Sequence, residues 1–237
     1  MSLLIYPDLK ESGPENMATD FWLFNKVSSH EPIFRHYGWL DEEITFGYGQ
    51  DWNWVKEQCV VKNKKATRRP TGGGIVNHGK DWTYMLIIPN GHSSFSIPSL
   101  DLYERLHIII GDALSEQNCL TSLMPCPSKD QKPKGIPGNC FLEPVGRDLM
   151  SIDGRQKLAG AAMKRSKKGI LIQGTIDFSR FLNLNIHSFK STIIEKLQNL
   201  LSEQSKFQSW PKNLISERAC LAKLFASSMW QKTRKLS

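Results

Sequence analysis

The segment from residue 66 to residue 89 constrains the fold of this chain more than any other part of the sequence. It runs ATRRPTGGGIVNHGKDWTYMLIIP, so that two arginines and three consecutive glycines lead through a polar turn into an apolar run. Residues without a Cβ atom let a ligand come close to the backbone N–H groups. A short apolar run that ends in proline is typical of a buried strand. The segment therefore predicts either a ligand-binding loop or a tight, flexible turn, followed by an apolar strand at 84–89.

Periodic patterns elsewhere predict a layered domain. Amphipathic spacing predicts helices at 12–29, 51–58, 100–117, 191–204 and 214–227. Alternating spacing predicts two paired strands within 32–49 and a three-stranded meander within 148–178. Together they indicate an α/β (α+β) fold with a mixed, largely antiparallel sheet flanked by helices.

The length of 237 residues suits one main domain. We expect a catalytic unit at 1–187 and a helical appendage of the same domain at 188–237. Four prolines within 121–139 exclude a regular helix or a central strand there and predict an exposed loop.

Charge and composition limit the classes of partner that the protein is expected to bind. A formal net charge of +8 favours an acidic partner, either an acidic protein or a nucleic acid, although a solvated basic surface without a partner is the alternative. The basic runs at 62–69 and 164–168 contain few aromatic residues and match no nucleic-acid module, so nucleic acid is disfavoured. The chain has neither 18 consecutive apolar residues nor a signal-peptide pattern, which predicts a cytoplasmic protein without a membrane partner.

The cysteines and the glycine loop exclude several kinds of site. Five cysteines without a CxxC pair predict reduced thiols and no metal site. The loop has neither the phosphate-binding spacing G-x-x-x-x-G-K-[ST] nor the dinucleotide spacing G-x-G-x-x-G. Arg68 and Arg69 could still bind a phosphate, in the prosthetic arm of a carrier or in a nucleotide. His78, taken alone, is more typical of a turn or surface residue than of a catalyst.

Two further residues are candidates for chemistry. Cys140 ends a proline-rich loop and begins the run CFLEP, which predicts a position at the edge of a site. Lys157 precedes Ala159, Gly160 and Ala161, whose small side chains let a substrate approach the strand. Considered alone, an inert buried cysteine and a solvated strand lysine are the alternatives.

Five ordered segments within residues 10–180 resemble the lipoate-protein ligase and octanoyltransferase superfamily, which also contains the biotin protein ligases. They are NMATDFWLF (16–24), RHYGW with FGYGQ (35–39 and 46–50), RRPTGGGIVNHGKDWTYML (68–86), GRQKLAGAAMKR (154–165) and ILIQGTI (170–176). The resemblance implies the biotin/lipoate protein ligase catalytic-domain fold, with Lys157 as the catalytic lysine. It also implies a set of residues that bind the acyl group or substrate. These are Arg69, Gly72, Gly73, Gly74, His78, Gly160 and Gly174.

The segment NCFLEPVGRDLMSIDGRQK is similar to one in the cysteine octanoyltransferases of the ligase-like branch. That similarity implies a catalytic Cys140 and an octanoyl-[acyl carrier protein]:protein N-octanoyltransferase of lipoate biosynthesis. The donor would be octanoyl-acyl carrier protein, and the acceptor would be a lipoyl domain of a 2-oxoacid dehydrogenase or the glycine-cleavage H protein. Since thioester exchange is nearly isoenergetic and amide formation is downhill, no cofactor is needed.

Two positions depart from the family pattern, and other functions stay open. Gln156 separates Arg155 from Lys157, so a bulge is needed to keep the lysine on its face of the strand, and Gly79 replaces an aspartate that commonly follows the histidine. The first alternative is an ATP-dependent lipoate-protein ligase, which would use ATP and Mg. The others are a lipoyl or octanoyl amidotransferase and a non-catalytic module that binds lipoyl domains or nucleic acid. Biotin ligase is disfavoured because the GRGRxxR-type loop is absent.

Overall fold

The computed structural model describes residues 1–26, 30–126, 138–181 and 183–235. Its α-helices are α1 (Gly13–Lys26), α2 (Trp52–Lys62), α3 (Ser99–Ser115), α4 (Ile186–Leu201), α5 (Leu214–Ala226) and α6 (Ser228–Thr233). Its strands are β1 (Ser2–Glu11), β2 (Ile33–Trp39), β3 (Ile44–Phe46), β4 (Ala66–Arg68), β5 (Val76–Asn77), β6 (Trp82–Pro89), β7 (Thr121–Leu123), β8 (Leu149–Ser151), β9 (Lys157–Ser166), β10 (Gly169–Ile176) and β11 (Gln204–Phe207).

The main sheet has eight strands in the order β11-β1-β2-β6-β10-β9-β8-β7. Strand β1 is parallel to both of its neighbours, and the other pairs of this sheet are antiparallel. The predicted mixed, largely antiparallel sheet flanked by helices is confirmed. The meander also forms as predicted, from β8, β9 and β10. Of the predicted proline-rich loop, 121–123 forms edge strand β7, and 127–137 lies outside the described residues.

The prediction that the two strands within 32–49 pair with each other is wrong. Strand β2 lies in the main sheet between β1 and β6, whereas β3 is the middle strand of a separate sheet in the order β4-β3-β5. The turn between them contacts the start of helix α1, where the backbone N–H of Gly13 donates to the Glu43 carboxylate over 2.9 Å. Alternation shows that a segment is a strand but does not identify its neighbour, and here β1 occupies the place beside β2.

The main sheet separates two apolar clusters. Helices α3 and α4 cover one face, where Leu106, Ile110 and Phe189 pack on the sheet. Helices α1 and α5 cover the other face, where Leu23 and Phe225 are buried. Strands β6 and β10 are buried along their whole length, which explains why their sequences are mostly apolar rather than alternating.

The residues after 188 pack on both faces of the main sheet. Strand β11 extends the main sheet by parallel pairing with β1, so this stretch supplies a strand as well as helices. Helix α4 joins the cluster under α3, and helix α5 joins the cluster on α1. Among the described residues, no helix has both the length and the apolar character that crossing a bilayer requires.

Replacing Phe225 by alanine tests whether the C-terminal helices fold together with the sheet. Phe225 is fully buried on α5, so Phe225→Ala should lower the free energy of unfolding by about 3–5 kcal/mol. Urea unfolding followed by circular dichroism should still show a single transition, shifted as a whole. Ile215→Ala, at an exposed position of the same helix, is the matched control and should change the stability by less than about 0.5 kcal/mol. A second, early transition in Phe225→Ala would show that 188–237 unfolds independently.

Candidate functional site

A cavity, partly open to solvent, lies between the glycine loop, the Cys140 segment and strands β9 and β10. Seven of the predicted site residues line the cavity: Arg69, Gly73, His78, Cys140, Lys157, Gly160 and Gly174. Gly72 and Gly74 do not line it, although both take part in the structure of its wall. Apolar side chains, including Val76, Phe141 and Ala162, form much of the remaining surface.

Cys140 is held against the glycine loop by three backbone contacts. The N–H of Gly74 donates to Sγ of Cys140 over 3.0 Å. The N–H of Cys140 donates to the carbonyl of Ile75 over 3.0 Å, and the N–H of Ile75 donates to the carbonyl of Gly138 over 2.9 Å. The thiol is therefore anchored at the cavity wall with a backbone donor aimed at its sulfur.

Arg69 binds the peptide groups on both sides of that donor. Its Nη2 donates to the carbonyls of Gly72, over 2.8 Å, and of Gly74, over 3.0 Å. In a planar trans peptide the N–H points away from the C=O of the same group, so these two bonds orient the N–H groups of Gly73 and Ile75. The peptide group of the Gly74 N–H lies between them, and its carbonyl, that of Gly73, accepts from Nε2 of Gln50 over 3.4 Å. Gly73 has φ +86°, a conformation that favours glycine, and a Cβ there would lie 3.5 Å from Sγ of Cys140. Gly72 and Gly74 therefore shape the loop, and Gly73 faces the ligand space.

Arg68 and Arg69, which could bind a phosphate according to the sequence, have buried guanidinium groups that are bound to protein oxygens. Arg68 donates to the carbonyls of Tyr48, Gln50 and Gln231 over 2.5–2.9 Å. Arg69 also donates to Oγ1 of Thr45 over 2.7 Å. Burial lowers the pKa of Arg69, and the negative charge of a Cys140 thiolate acts in the opposite direction. The two cations thus act as structural donors within the protein.

His78 belongs to a buried hydrogen-bond chain and is not a surface residue. Its Nδ1 lies 2.7 Å from the Asp81 carboxylate, its Nε2 lies 2.7 Å from Oγ1 of Thr45, and its ring stacks on Trp39. Oγ1 of Thr45 in turn accepts from Nη1 of Arg69. The chain Asp81–His78–Thr45–Arg69 thereby supports the glycine loop.

Asp81 supplies the carboxylate that the sequence lacks directly after His78. Gly79 has φ +133°, and its N–H donates to Asp81 over 2.9 Å. Burial alone raises the pKa of Asp81, but His78 and the hydroxyls of Thr175 and Thr83 outweigh it and hold that pKa well below its ordinary value. The departure at Gly79 is therefore compensated by a carboxylate two residues further on.

Lys157 is buried at the cavity wall and paired with Asp148. Its Nζ lies 2.7 Å from Oδ2 of Asp148. The same carboxylate accepts from the hydroxyl of Tyr103 over 2.5 Å and from the N–H of Val145 over 2.6 Å. A Cβ on Gly160 would lie 2.6 Å from Nζ of Lys157, so the ammonium reaches this position only because residue 160 has no side chain.

A β-bulge lies next to Lys157. Leu149 of β8 pairs with Ala159 of β9, and the following residue, Met150, pairs with Lys157, so that Leu158 is the extra residue. The bulge follows Gln156 directly and places Lys157 in the wall of the cavity. The inserted Gln156 is therefore compatible with a Lys157 that faces the site.

Sequence reasoning missed Asp148, Tyr103, Thr45 and Asp81. Each is a single polar residue without a motif of its own, and each becomes part of the site through a partner distant in sequence or across a turn. The one available signal is general, because a carboxylate in a largely apolar stretch such as DLMSI is rarely buried without a partner. Gly174 was predicted to bind substrate, and its missing Cβ also makes room for the Tyr84 ring, whose atoms would lie 2.3–2.4 Å from it. Among the described residues, no group of three His, Cys, Asp or Glu side chains could hold a metal ion.

The chain matches the family model of the lipoyl protein ligase A/B catalytic domain over residues 12–231. Curated relatives named octanoyltransferase LipM include one from Staphylococcus aureus, 33% identical over 174 residues, and one from Staphylococcus epidermidis, 32% identical over 170 residues. Each match covers 68% of this chain and 60% of the relative, so the chain spans about three fifths of these proteins. The LipM of Brevibacillus brevis is 26% identical over 230 residues, which cover 90% of this chain and 82% of that protein.

Solved structures with the same fold are lipoate-protein ligases. A lipoate-protein ligase A bound with ATP superposes with a TM-score of 0.75 at 16% identity, over 98% of both chains. A putative lipoate protein ligase from T. acidophilum with bound lipoic acid gives a TM-score of 0.75 at 15% identity, again over 98% of both chains. At these identities the likeness shows the fold, which is the one the sequence resemblance implied.

His107, on α3 beneath the Lys157 pair, should make stability depend on pH. His107 is fully buried, and burial, followed by the charge of Lys157, lowers the pKa of His107 from 6.5 to about 3. The unfolded chain therefore binds a proton at this residue before the folded protein does, and acidification from pH 6.5 toward pH 3 removes stability. His107→Phe should lose less stability than wild type between pH 7 and pH 5 in urea unfolding. Equal losses in the two proteins would contradict this assignment.

Proposed function

The chain belongs to the lipoyl protein ligase A/B catalytic-domain family, and from that membership we propose that it is a protein octanoyltransferase acting through a thioester on Cys140. The donor is octanoyl-acyl carrier protein, and the acceptor is a lysine on a lipoyl domain of a 2-oxoacid dehydrogenase or on the glycine-cleavage H protein. The observation that carries the proposal is the anchored thiol of Cys140, which faces the cavity with the Gly74 N–H 3.0 Å from its sulfur. We place the reaction in the cytoplasm, where thiols stay reduced.

In the first step the sulfur of Cys140 attacks the thioester carbonyl of the donor. A new C–S bond to Cys140 forms, the C–S bond to the carrier breaks, and the carrier leaves as a thiol that takes the proton lost by Cys140. One thioester replaces another, so neither ATP nor a metal ion is needed to drive the exchange. The Gly74 N–H and the guanidinium of Arg69 place positive charge beside the sulfur that makes the attack.

In the second step the acceptor lysine attacks the octanoyl-Cys140 carbonyl. The C–N bond of the amide forms, the C–S bond breaks, and the proton lost by the amine goes to the departing sulfur, which regenerates the thiol of Cys140. Each step passes through a tetrahedral oxyanion, which needs a donor fixed in advance. Lys157 provides a cation at the cavity wall, and Asp148 and Tyr103 hold it there. The Gly74 N–H is close enough to contribute a second donor once the sulfur carries the acyl group.

The cavity and the charge of the protein agree with these substrates. The apolar wall formed by Val76, Phe141 and Ala162 offers the octanoyl chain a surface away from water. The formal charge of +8 favours encounter with acidic carrier and lipoyl domains. An ATP-dependent lipoate ligase would use the same cavity and Lys157, but it would leave the anchoring of Cys140 without a role.

A covalent octanoyl adduct on Cys140 is the direct test. Incubation with octanoyl-acyl carrier protein and no ATP should add the mass of one octanoyl group to the wild type and none to Cys140→Ser, as measured by intact mass spectrometry. Cys220→Ser, at an exposed cysteine outside the cavity, is the matched control and should acquire the adduct. An apo lipoyl domain should then discharge the adduct.

The outcomes separate the proposed transferase from its alternatives. Acylation of the lipoyl domain only with free octanoic or lipoic acid, ATP and Mg, without an adduct on the wild type, would show a ligase. An adduct formed only from an octanoylated H protein would show an amidotransferase that uses a protein-amide donor.

Breaking the pair of Lys157 and Asp148 should slow adduct formation. Lys157→Met removes the cation, and Asp148→Asn removes the charge that positions it, so each should lower the single-turnover rate by about 10²–10³-fold. Asp101→Asn, which alters an exposed ion pair with Arg147, is the control and should keep the wild-type rate. Rates are compared at a temperature where melting curves show every variant folded. A wild-type rate in both site variants would exclude Lys157 from the reaction.

A further inference from the structure

Two cations flank one aromatic ring beside the glycine loop. Nζ of Lys164 lies 5.6 Å from the ring centroid of Tyr48, and Cζ of Arg234 lies 5.7 Å from the same centroid. Attraction between a cation and an aromatic face holds both groups near the ring. Tyr48 is more than one third exposed, so this place is open to a ligand.

The cluster is adjacent to the cavity. The N–H of Tyr48 donates to the carbonyl of Thr71 over 2.7 Å, and the preceding residue, Gly47, packs directly on the backbone of Gly73. Lys164 lies two residues beyond Ala162 on β9, so the two side chains share a face of the strand, and Ala162 lines the cavity. A ligand that leaves the cavity over Gly73 and Ala162 therefore meets Tyr48, Lys164 and Arg234.

Arg234 is brought to this place by the buried Arg68. The guanidinium of Arg68 donates to the carbonyl of Gln231, its backbone N–H donates to the side chain of Gln231, and its carbonyl accepts from the indole of Trp230. These contacts fix helix α6, and Arg234 follows at its C-terminal end, with its N–H donating to Trp230 over 3.1 Å. Arg68 of the glycine motif thus holds helix α6 in place, and the C-terminal end of α6 carries the exposed Arg234.

The cluster carries an excess of positive charge. In the part of the chain that the structure describes, Lys164, Lys232 and Arg234 take part in none of the ion pairs. The groove that adjoins Arg234 is lined by one carboxylate, Asp51, and by the cations Lys56, Lys232 and Arg234. Burial and then the charge of Arg234 lower the pKa of Arg68 to about 10, which reports that the cations repel one another. An anion bound between them would relieve that repulsion.

We propose that Lys164 and Arg234, on either side of Tyr48, bind the phosphate of the phosphopantetheine arm that carries the donor thioester. The assignment rests on the proposed function, which places the thioester end of that arm at Cys140. The arm joins its thioester to a phosphate through a polar chain, so the anion lies outside the acyl cavity. A guanidinium binds phosphate oxygens in pairs, and an ammonium adds a point charge. The motif arginines cannot do this, because they are buried and bound to carbonyls.

The test compares two ligands that differ by one phosphate. Isothermal titration calorimetry of the full chain, under reducing conditions, should give a dissociation constant for phosphopantetheine about tenfold lower than that for pantetheine. The double variant Lys164→Gln/Arg234→Gln should bind the two ligands equally. The matched control, Lys167→Gln/Lys212→Gln, removes the same charge from exposed positions elsewhere and should keep the preference. Raising the ionic strength should weaken the preference in the wild type.

Three results would overturn the assignment: equal binding of both ligands by the wild type, a preference that the double variant retains, or a preference that the control variant loses because only overall charge matters. ATP that binds more tightly than phosphopantetheine, and loses that affinity in the double variant, would assign the cluster to a nucleotide instead. The titration measures binding without acyl transfer, so its failure and the absence of a Cys140 adduct are separate results.

Discussion

The guanidinium of Arg69 holds the three-glycine loop in one conformation, and the rest of the site depends on that constraint. Glycines without side chains have the largest conformational freedom of any residues, so a GGG segment needs outside contacts to adopt one shape. Arg69 supplies them through the carbonyls of Gly72 and Gly74, which belong to the peptide groups on either side of the one whose Gly74 N–H donates to the sulfur of Cys140. The missing side chains let a ligand approach the loop, and the buried cation removes the conformational freedom that comes with them.

Buried cations and exposed cations have different tasks in this basic protein. Arg35 pairs with Asp20 in the interior, and Arg68 and Arg69 bind backbone carbonyls, so these charges serve the fold. Lys157 is intermediate, since it is buried yet lines the cavity and is paired with Asp148. Removing a partner from such a pair leaves an uncompensated charge, which is why buried ions are found with partners. Cations that are not buried and have no ion pair among the described residues, such as the half-buried Lys164 and the exposed Arg234, remain available to an external anion.

The C-terminal stretch also contacts the residues that support the site. Helix α5 packs on α1, and Gln231 and Trp230 of α6 bind Arg68 at the end of β4. The glycine loop follows β4 directly, so the position of α6 and the position of the loop are set by neighbouring residues of one motif. Residues beyond the last helix that the sequence pattern predicts, 214–227, therefore contribute to the surroundings of the cavity.

The sequence by itself determined the local features: the glycine loop, the buried strand that follows it, the helices and the meander that carries Lys157. These features depend on spacing and residue type within one segment, which a sequence shows directly. It also singled out Cys140 and Lys157, because their small and proline-rich neighbours are unusual. The resemblance to the lipoate ligase superfamily then implied the fold, and the family match confirmed it.

Only the tertiary structure decided which partners these features have. It separated β2 from β3, added β1 and β11 to the main sheet, and gave Lys157 its carboxylate in Asp148. It also turned the two motif arginines inward, so that the anion-binding role expected of them falls to cations from β9 and the end of α6. The physical reason is that periodicity records whether a residue is buried but not what it is buried against. Partners are chosen by the packing of segments far apart in the chain.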